Sequence, residues 1–194
     1  MQNTFSPRAV VGSLAIALIV GLAVLVLQVY PASAYHLLGG RWPNQPYSGC
    51  CANIYITYSG SFISSADRTG WDNGRFAWNN TASANIFFWT TSSCCTIVAY
   101  DTNDTSTDSD GWTTLYPCGS CTYNYADLYL NYAFTKNYSS AEIQSVAAHE
   151  LGHLAGLDHS SGCVLMNGST ATRWGSCGIN LPQTDDVNGV NALY

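Results

Sequence analysis

Charged side chains are scarce in this sequence. Only 9% of the 194 residues are Asp, Glu, Lys or Arg, and six basic residues against twelve acidic ones give a net charge of −6 at pH 7. No basic patch is therefore expected for the phosphates of a nucleic acid or for an anionic membrane surface, which excludes these partners. The length fits one domain with a sizeable core.

Histidine is equally scarce, yet three of the four histidines fall within eleven residues, in the pattern HExxHxxGxxH. On a helix, His149 and His153 lie on one face, so their imidazoles can reach one metal ion. Gly156 allows the turn that returns His159 to the same point as a third ligand. Three imidazoles leave a tetrahedral zinc one position for water, which is typical of a catalytic site, and Glu150 is expected beside that water.

The first 34 residues are predicted to be a secretory signal peptide. A short basic start precedes the apolar run 9–27, and the small residues 32–34 match a cleavage site. The apolar run is nineteen residues long, so an uncleaved membrane anchor is the alternative. Cleavage predicts a secreted domain of residues 35–194 with no membrane contact.

The cysteines support export, because an even number of them in a small exported chain indicates disulfides. All eight follow the predicted cleavage site: Cys50, Cys51, Cys94, Cys95, Cys118, Cys121, Cys163 and Cys177. Eight cysteines allow 105 pairings. Our hypothesis pairs Cys163 with Cys177 and Cys118 with Cys121, and joins the two vicinal pairs. A redox motif or half of a zinc knuckle at 118–121 is the alternative to a disulfide there.

Apolar patterns predict strands interleaved with helices, and hence a mixed sheet with helices packed on it. The predicted strands are 52–58, 85–89, 96–100 and 126–132. The predicted helices are 64–79, a helix from the capping box at Ser139 to near Gly156, and 184–193 with Thr184 as N-cap.

The polar segment 101–111 contains four aspartates: Asp101, Asp104, Asp108 and Asp110. Calcium prefers several oxygen ligands on a flexible loop, so a calcium site is one interpretation. A solvated loop is the other, since no glutamate follows at EF-hand spacing.

Around the zinc motif, the sequence resembles the matrixins, a metzincin family that contains the matrix metalloproteinases. Four matches carry the resemblance: Val146-Ala147-Ala148 before the motif, Ser160 directly after it, Met166 at the Met-turn position, and the C-terminal segment 181–190. The similarity covers most of 35–194 and is sharp from about residue 138. It implies an α+β metzincin catalytic domain with a twisted mixed sheet and about three helices. The zinc site would lie in a cleft between a sheet-containing upper part and a smaller C-terminal part.

The motif and the resemblance together predict a secreted, monomeric zinc metalloendopeptidase that acts on proteins or peptides. One catalytic zinc ion is expected on His149, His153 and His159, with Glu150 as general base and then general acid. The alternative from another class is an exported zinc-binding or adhesive module that does not cleave. Glu150 argues against it, because a structural zinc site has no use for a base.

The resemblance also assigns roles to the C-terminal segment. In matrixins the residues matching Asp185 and Asp186 brace the Met-turn and receive the ammonium of the mature N-terminus, which would be Tyr35 here. Met166 would lie beneath the zinc as an apolar floor.

The sequence departs from the matrixin pattern in three respects. No propeptide is expected between the signal peptide and Tyr35, so no inhibitory cysteine switch is expected either. His36 is the only other histidine, so the family's second, structural zinc site cannot be built as usual, and we hypothesise that disulfides replace its bracing. Segment 167–176 lacks the Pro-x-Tyr wall of the matrixin specificity pocket, so no cleavage preference can be transferred.

Overall fold

The computed structural model of the chain describes residues 35–43, 52–92, 96–117 and 122–194. These residues belong to one compact unit, Ala34–Tyr194. The predicted signal peptide and all the predicted disulfides except Cys163–Cys177 lie outside the described residues. Within the described ranges, no helix has both the length and the apolar character that a membrane crossing requires.

Seven strands and four α-helices make up the described fold, with one π-helical turn near the C-terminus. The strands are β1 (His36–Leu37), β2 (Ala52–Tyr58), β3 (Ile86–Thr90), β4 (Ile97–Thr102), β5 (Gly111–Pro117), β6 (Tyr123–Asn131) and β7 (Leu157–Asp158). The α-helices are α1 (Ser65–Asn79), α2 (Tyr132–Thr135), α3 (Ser140–Leu154) and α4 (Thr184–Leu193), and the π-helix is Ala171–Ser176.

The central sheet is mixed, as predicted, with the strand order β3-β2-β4-β6-β5. Strand β2 pairs in parallel with β3 and β4, and β4 pairs in parallel with β6. Strand β5 is antiparallel to β6 and forms one edge of the sheet. A separate antiparallel pair joins β1 to β7, with His36 opposite Asp158.

Helices α1 and α3 pack against each other and cover one face of the sheet. The start of α1 is capped by Ser64, whose hydroxyl accepts the backbone N–H groups of Ala66 and Asp67. The indole of Trp78, fully buried, donates a 2.8 Å hydrogen bond to the Ala148 carbonyl on α3. A Cβ at Gly74 would lie 2.8 Å from the Ala148 nitrogen, so this glycine, which weakens α1 by propensity, permits the close approach of the two helices.

The predicted elements are confirmed with small shifts at their ends. Tyr132 begins α2 instead of ending β6, because the Asn131 side chain accepts the Ala133 N–H and caps a helical turn. The N-cap of α4 is Gln183, so the prediction of Thr184 was wrong by one residue. The Asp186 carboxylate accepts the Gln183 N–H at 2.7 Å, which closes the helix end one residue earlier.

Three of the four aspartates in segment 101–111 accept hydrogen bonds from neighbouring protein groups. Asp101 accepts the N–H groups of Ile63 and Ser64, Asp104 accepts from Ser106, and Asp110 accepts from the Tyr138 hydroxyl. In the described ranges, only the three histidines of the motif bring three or more metal-ligating side chains together. Calcium binding at this segment stays a prediction, which calorimetry on metal-stripped protein would test.

Candidate active site

Helix α3 carries the first two histidines of the motif, one turn apart, and stops directly after them. Gly156 follows with φ of +100°, a left-handed conformation that favours glycine. A Cβ at this position would also lie 2.7 Å from the Gly40 carbonyl oxygen. The chain therefore turns at Gly156 into β7, which leads to His159.

The three imidazoles meet at one point. His159 Nε2 lies 3.2 Å from His149 Nε2 and 3.1 Å from His153 Nε2. Two ligand nitrogens, each about 2.1 Å from a tetrahedral zinc, lie about 3.4 Å apart, so the observed spacing fits this ion. The predicted ligand set is thus brought together by the fold.

Hydrogen bonds on the far side of two rings fix their tautomer. His149 Nδ1 lies 2.8 Å from the Leu165 carbonyl oxygen, and His153 Nδ1 lies 2.8 Å from the Leu157 carbonyl oxygen. Because a carbonyl oxygen can only accept, each Nδ1 carries the proton and each Nε2 offers its lone pair to the common point.

Burial keeps the histidines neutral. It lowers the pKa of His149 well below its ordinary value, and the charge of Arg173 lowers it further. Burial also lowers the pKa of His153 and of His159. Neutral imidazoles are the form that binds a metal ion.

Glu150 lies beside the histidines and is 3% exposed. The Thr113 hydroxyl on β5 lies 2.8 Å from Glu150 Oε2 and 3.0 Å from the Glu150 carbonyl oxygen. Burial raises the pKa of Glu150 to about 8, and the hydrogen bond from Thr113 opposes that rise. Thr113 thus holds the carboxyl group in place. The pKa of the group lies near neutral pH, as expected of a general base.

Sequence reasoning missed Thr113 because it missed the whole of β5. The segment does alternate, with Trp112, Thr114 and Tyr116 on one side and Thr113 and Leu115 on the other, and its residues favour strands. Trp112 stacks on Tyr129 of β6 with ring centroids 4.9 Å apart, which anchors the edge strand. A strand prediction was available from this pattern, whereas the contact with Glu150 was not.

The residues at the Met-turn position pack against the motif helix and are held by α4. Met166 is 2% exposed, and a Cβ at Gly152 of α3 would overlap its sulfur. The N–H groups of Leu165 and Met166 each donate a 3.0 Å hydrogen bond to the Asp186 carboxylate of α4. Bracing of the Met-turn by Asp186 is therefore confirmed, and the neighbouring Asp185 accepts a 3.1 Å hydrogen bond from Ser160.

A disulfide joins Cys163 to Cys177, as hypothesised. It closes the segment that contains the Met-turn and the π-helix. The chain between Met166 and Cys177 is thereby fixed at both ends.

A cleft of about 570 Å³ contains the three histidines and Glu150. One wall comes from the beginning of β5, and the other from residues 168–171, so the cleft lies between the sheet and the C-terminal segment, as predicted. A Cβ at Gly168 would lie 3.0 Å from the His159 ring, so glycine lets the second wall approach the histidines closely. The other described residues at the cleft are Leu38, Asp108, Ser109, Asp110, Phe134, Tyr138 and Arg173.

Comparison with known proteins identifies the family of the chain. The family model for matrixins matches residues 74–194, which is more than half of the chain. Solved structures that resemble the chain include high choriolytic enzyme 1, a hatching enzyme zinc-protease from the medaka fish Oryzias latipes, with 15% sequence identity and a TM-score of 0.40. That match covers 69% of this chain and 54% of the other, so the chain spans about half the length of this neighbour. No curated protein matches the chain.

The mixed sheet and the motif helix thus bring three histidines together in one cleft. The chain belongs to the matrixin family.

Proposed function

We propose that the chain hydrolyses peptide bonds with Glu150 as general base and general acid, and with His149, His153 and His159 as the ligands of one catalytic zinc. The observation that carries the proposal is the convergence of three neutral imidazoles beside one buried carboxyl group. When bound, zinc supplies Lewis acidity, which lowers the pKa of a coordinated water to about 7 and polarises the scissile carbonyl.

Each protein group has a definite task in this reaction. The Leu165 and Leu157 carbonyl oxygens orient the imidazoles through their Nδ1 protons. Glu150 accepts a proton from water at its carboxylate and later donates it to the leaving amine. Thr113 acts as a positioning residue, because its hydroxyl holds Glu150 Oε2 at 2.8 Å.

The position of β5 supports binding of the substrate in an extended conformation. This strand forms the edge of the central sheet and begins at the cleft. An extended peptide can add to such an edge through backbone hydrogen bonds, which do not depend on sequence. A substrate strand added at this edge would have its scissile bond beside the histidines, whatever its side chains.

We also propose that the protein is exported, cut after Ala34 and monomeric. Strand β1 begins at His36, so a chain that starts at Tyr35 keeps the whole pairing with β7. A Cβ at Gly189 of α4 would lie 3.2 Å from Tyr35 Cβ, so the proposed N-terminus lies beside the helix that carries Asp185. N-terminal sequencing of the exported protein tests the cleavage site, and a first residue well beyond Tyr35 would contradict it.

The test of activity is hydrolysis of a quenched, mixed-sequence peptide library by the full chain, with zinc quantified in the same samples. We expect Glu150→Ala to retain zinc and to lose turnover by at least about a hundredfold. His153→Ala should lose both zinc and turnover. The matched control is Glu142→Ala, which changes the same residue type in the first turn of the same helix, away from the cleft.

Two results would contradict the proposal. Near-normal turnover by the Glu150→Ala protein would remove Glu150 from the reaction. Zinc in the unmodified chain with no cleavage of any peptide would favour the non-catalytic zinc-binding module.

A further inference from the structure

Arg173 is the only lysine or arginine among the described residues that line the cleft. It lies in the π-helix of the cleft wall and is 1% exposed. This wall is the segment whose sequence departs from the matrixin specificity pocket. The cleft therefore has a buried positive charge in this segment, and the resemblance assigns no role to that charge.

The guanidinium group is held by neutral acceptors. Its Nε donates to Ser145 Oγ at 3.0 Å, one terminal nitrogen donates to the Asn167 carbonyl at 2.6 Å, and the other donates to Thr170 Oγ1 at 2.7 Å. A guanidinium has five N–H groups, so these bonds leave one on each terminal nitrogen. The side chain is thereby rigidly placed with two donors in reserve.

No carboxylate of the described residues forms an ion pair with Arg173, whereas Arg68 and Arg75 both pair with Asp72. The charges of Asp110, Glu150 and Asp186 act on Arg173 without forming an ion pair with it, and each of these carboxyl groups accepts hydrogen bonds from other protein groups. An arginine stays protonated even when it is buried. An anion that enters the cleft would form the direct ion pair that these three carboxyl groups do not form.

The position of the wall indicates which part of a substrate would supply that anion. Within the cleft wall 168–171, Gly168 lies against the His159 ring, and Thr170 accepts a hydrogen bond from Arg173. A side chain that fills this part of the cleft belongs to a substrate residue next to the scissile bond. Its tip would point toward Arg173, past the polar wall residues Ser169 and Thr170.

We propose that Arg173 is a specificity residue that selects substrates with an aspartate or glutamate next to the scissile bond. The inference rests on the proposed function, since it names the substrate class for the same cleft. The basis is the selectivity of charged hydrogen bonds, because a glutamine amide offers one acceptor oxygen where a carboxylate offers two, so it leaves one buried donor unpaired and lacks the charge.

The test compares paired peptides that differ only by Glu or Gln at one of the two positions that flank the scissile bond. We expect kcat/KM for the full chain to favour Glu by about tenfold to a hundredfold at one of the two positions. Arg173→Met should bring that ratio close to one, and Arg173→Lys should keep part of it. Arg68→Met, a change of an arginine outside the cleft, should leave the ratio as it is.

A second measurement covers the case in which the Arg173 variants do not fold. Calorimetry with the full-chain Glu150→Gln protein and the same peptides should show tighter binding of the Glu peptide, with a difference that shrinks as salt is added. Equal binding and equal cleavage of Glu and Gln peptides would overturn the role of Arg173. Loss of turnover with every peptide, but with the binding preference intact, would instead overturn the proposed function alone.

Discussion

At the scale of single residues, the contact between Thr113 and Glu150 allows a sharp test of positioning. Thr113→Val keeps the shape of the side chain but removes the hydroxyl that lies 2.8 Å from Glu150 Oε2. We expect kcat to fall by about tenfold, the value of a hydrogen bond to a charged group, with KM and bound zinc unchanged. Thr113→Ser retains the hydroxyl and should keep most of the rate. Equal rates for the two variants would show that the hydroxyl does not position Glu150.

The same contact shows how far sequence reasoning reaches at this scale. His149, Glu150, His153 and His159 could be predicted because helical spacing and one turn bring them together locally. Thr113 lies 37 residues from Glu150, and this contact depends on the sheet order, which no local pattern contains. Arg173 was also beyond reach, because its burial behind the cleft depends on the course of the chain after the Met-turn.

At the scale of elements, Asp186 joins α4 to the Met-turn and offers a test of that brace. Its carboxylate accepts the N–H groups of Leu165, Met166 and Gln183. Asp186→Asn replaces one acceptor oxygen by a donor and leaves a buried N–H without a partner, so we expect the free energy of unfolding to fall by about 2 kcal/mol. Denaturant unfolding measures this loss. Asn188→Ala, at an exposed position of the same helix, is the control and should change little.

Helices α1 and α2 are joined by a buried carboxyl group that should make stability depend on pH. Asp67 is 0% exposed, Oδ2 accepts a 2.9 Å hydrogen bond from Thr135, and Oδ1 has no partner. Burial raises the pKa of Asp67 from 3.8 to about 6. The folded state therefore binds this proton more tightly than the unfolded state does, so the contribution is full below pH 4 and is lost as the pH rises through 6.

The expected loss across that range is of the order of 2 kcal/mol. Asp67→Asn cannot ionise, so its unfolding free energy should lack this decline between pH 4 and pH 7. The measurement is the difference between the two proteins at each pH, which cancels the other titrating groups. A constant difference would mean that Asp67 has an ordinary pKa in the folded protein.

At the scale of the whole molecule, the Cys163–Cys177 disulfide links folding to the shape of the cleft. The two cysteines are fourteen residues apart, and the segment between them contains the Met-turn, the cleft wall and Arg173. A crosslink of this loop length stabilises the folded state by about 3 kcal/mol. We expect the double change Cys163→Ser and Cys177→Ser to lower Tm by several degrees.

The same double change should weaken substrate binding more than zinc binding. Helix α3 and Gly156 place the three histidines without help from the disulfide, so zinc binding should survive in the double variant. The wall at 168–171 is fixed by the crosslink on one side and by Arg173 on the other, so its loosening should raise KM and weaken any preference that depends on Arg173. Michaelis kinetics at a temperature well below both Tm values separates these effects. An unchanged Tm would show that this crosslink does not provide the bracing that a second zinc provides in other matrixins.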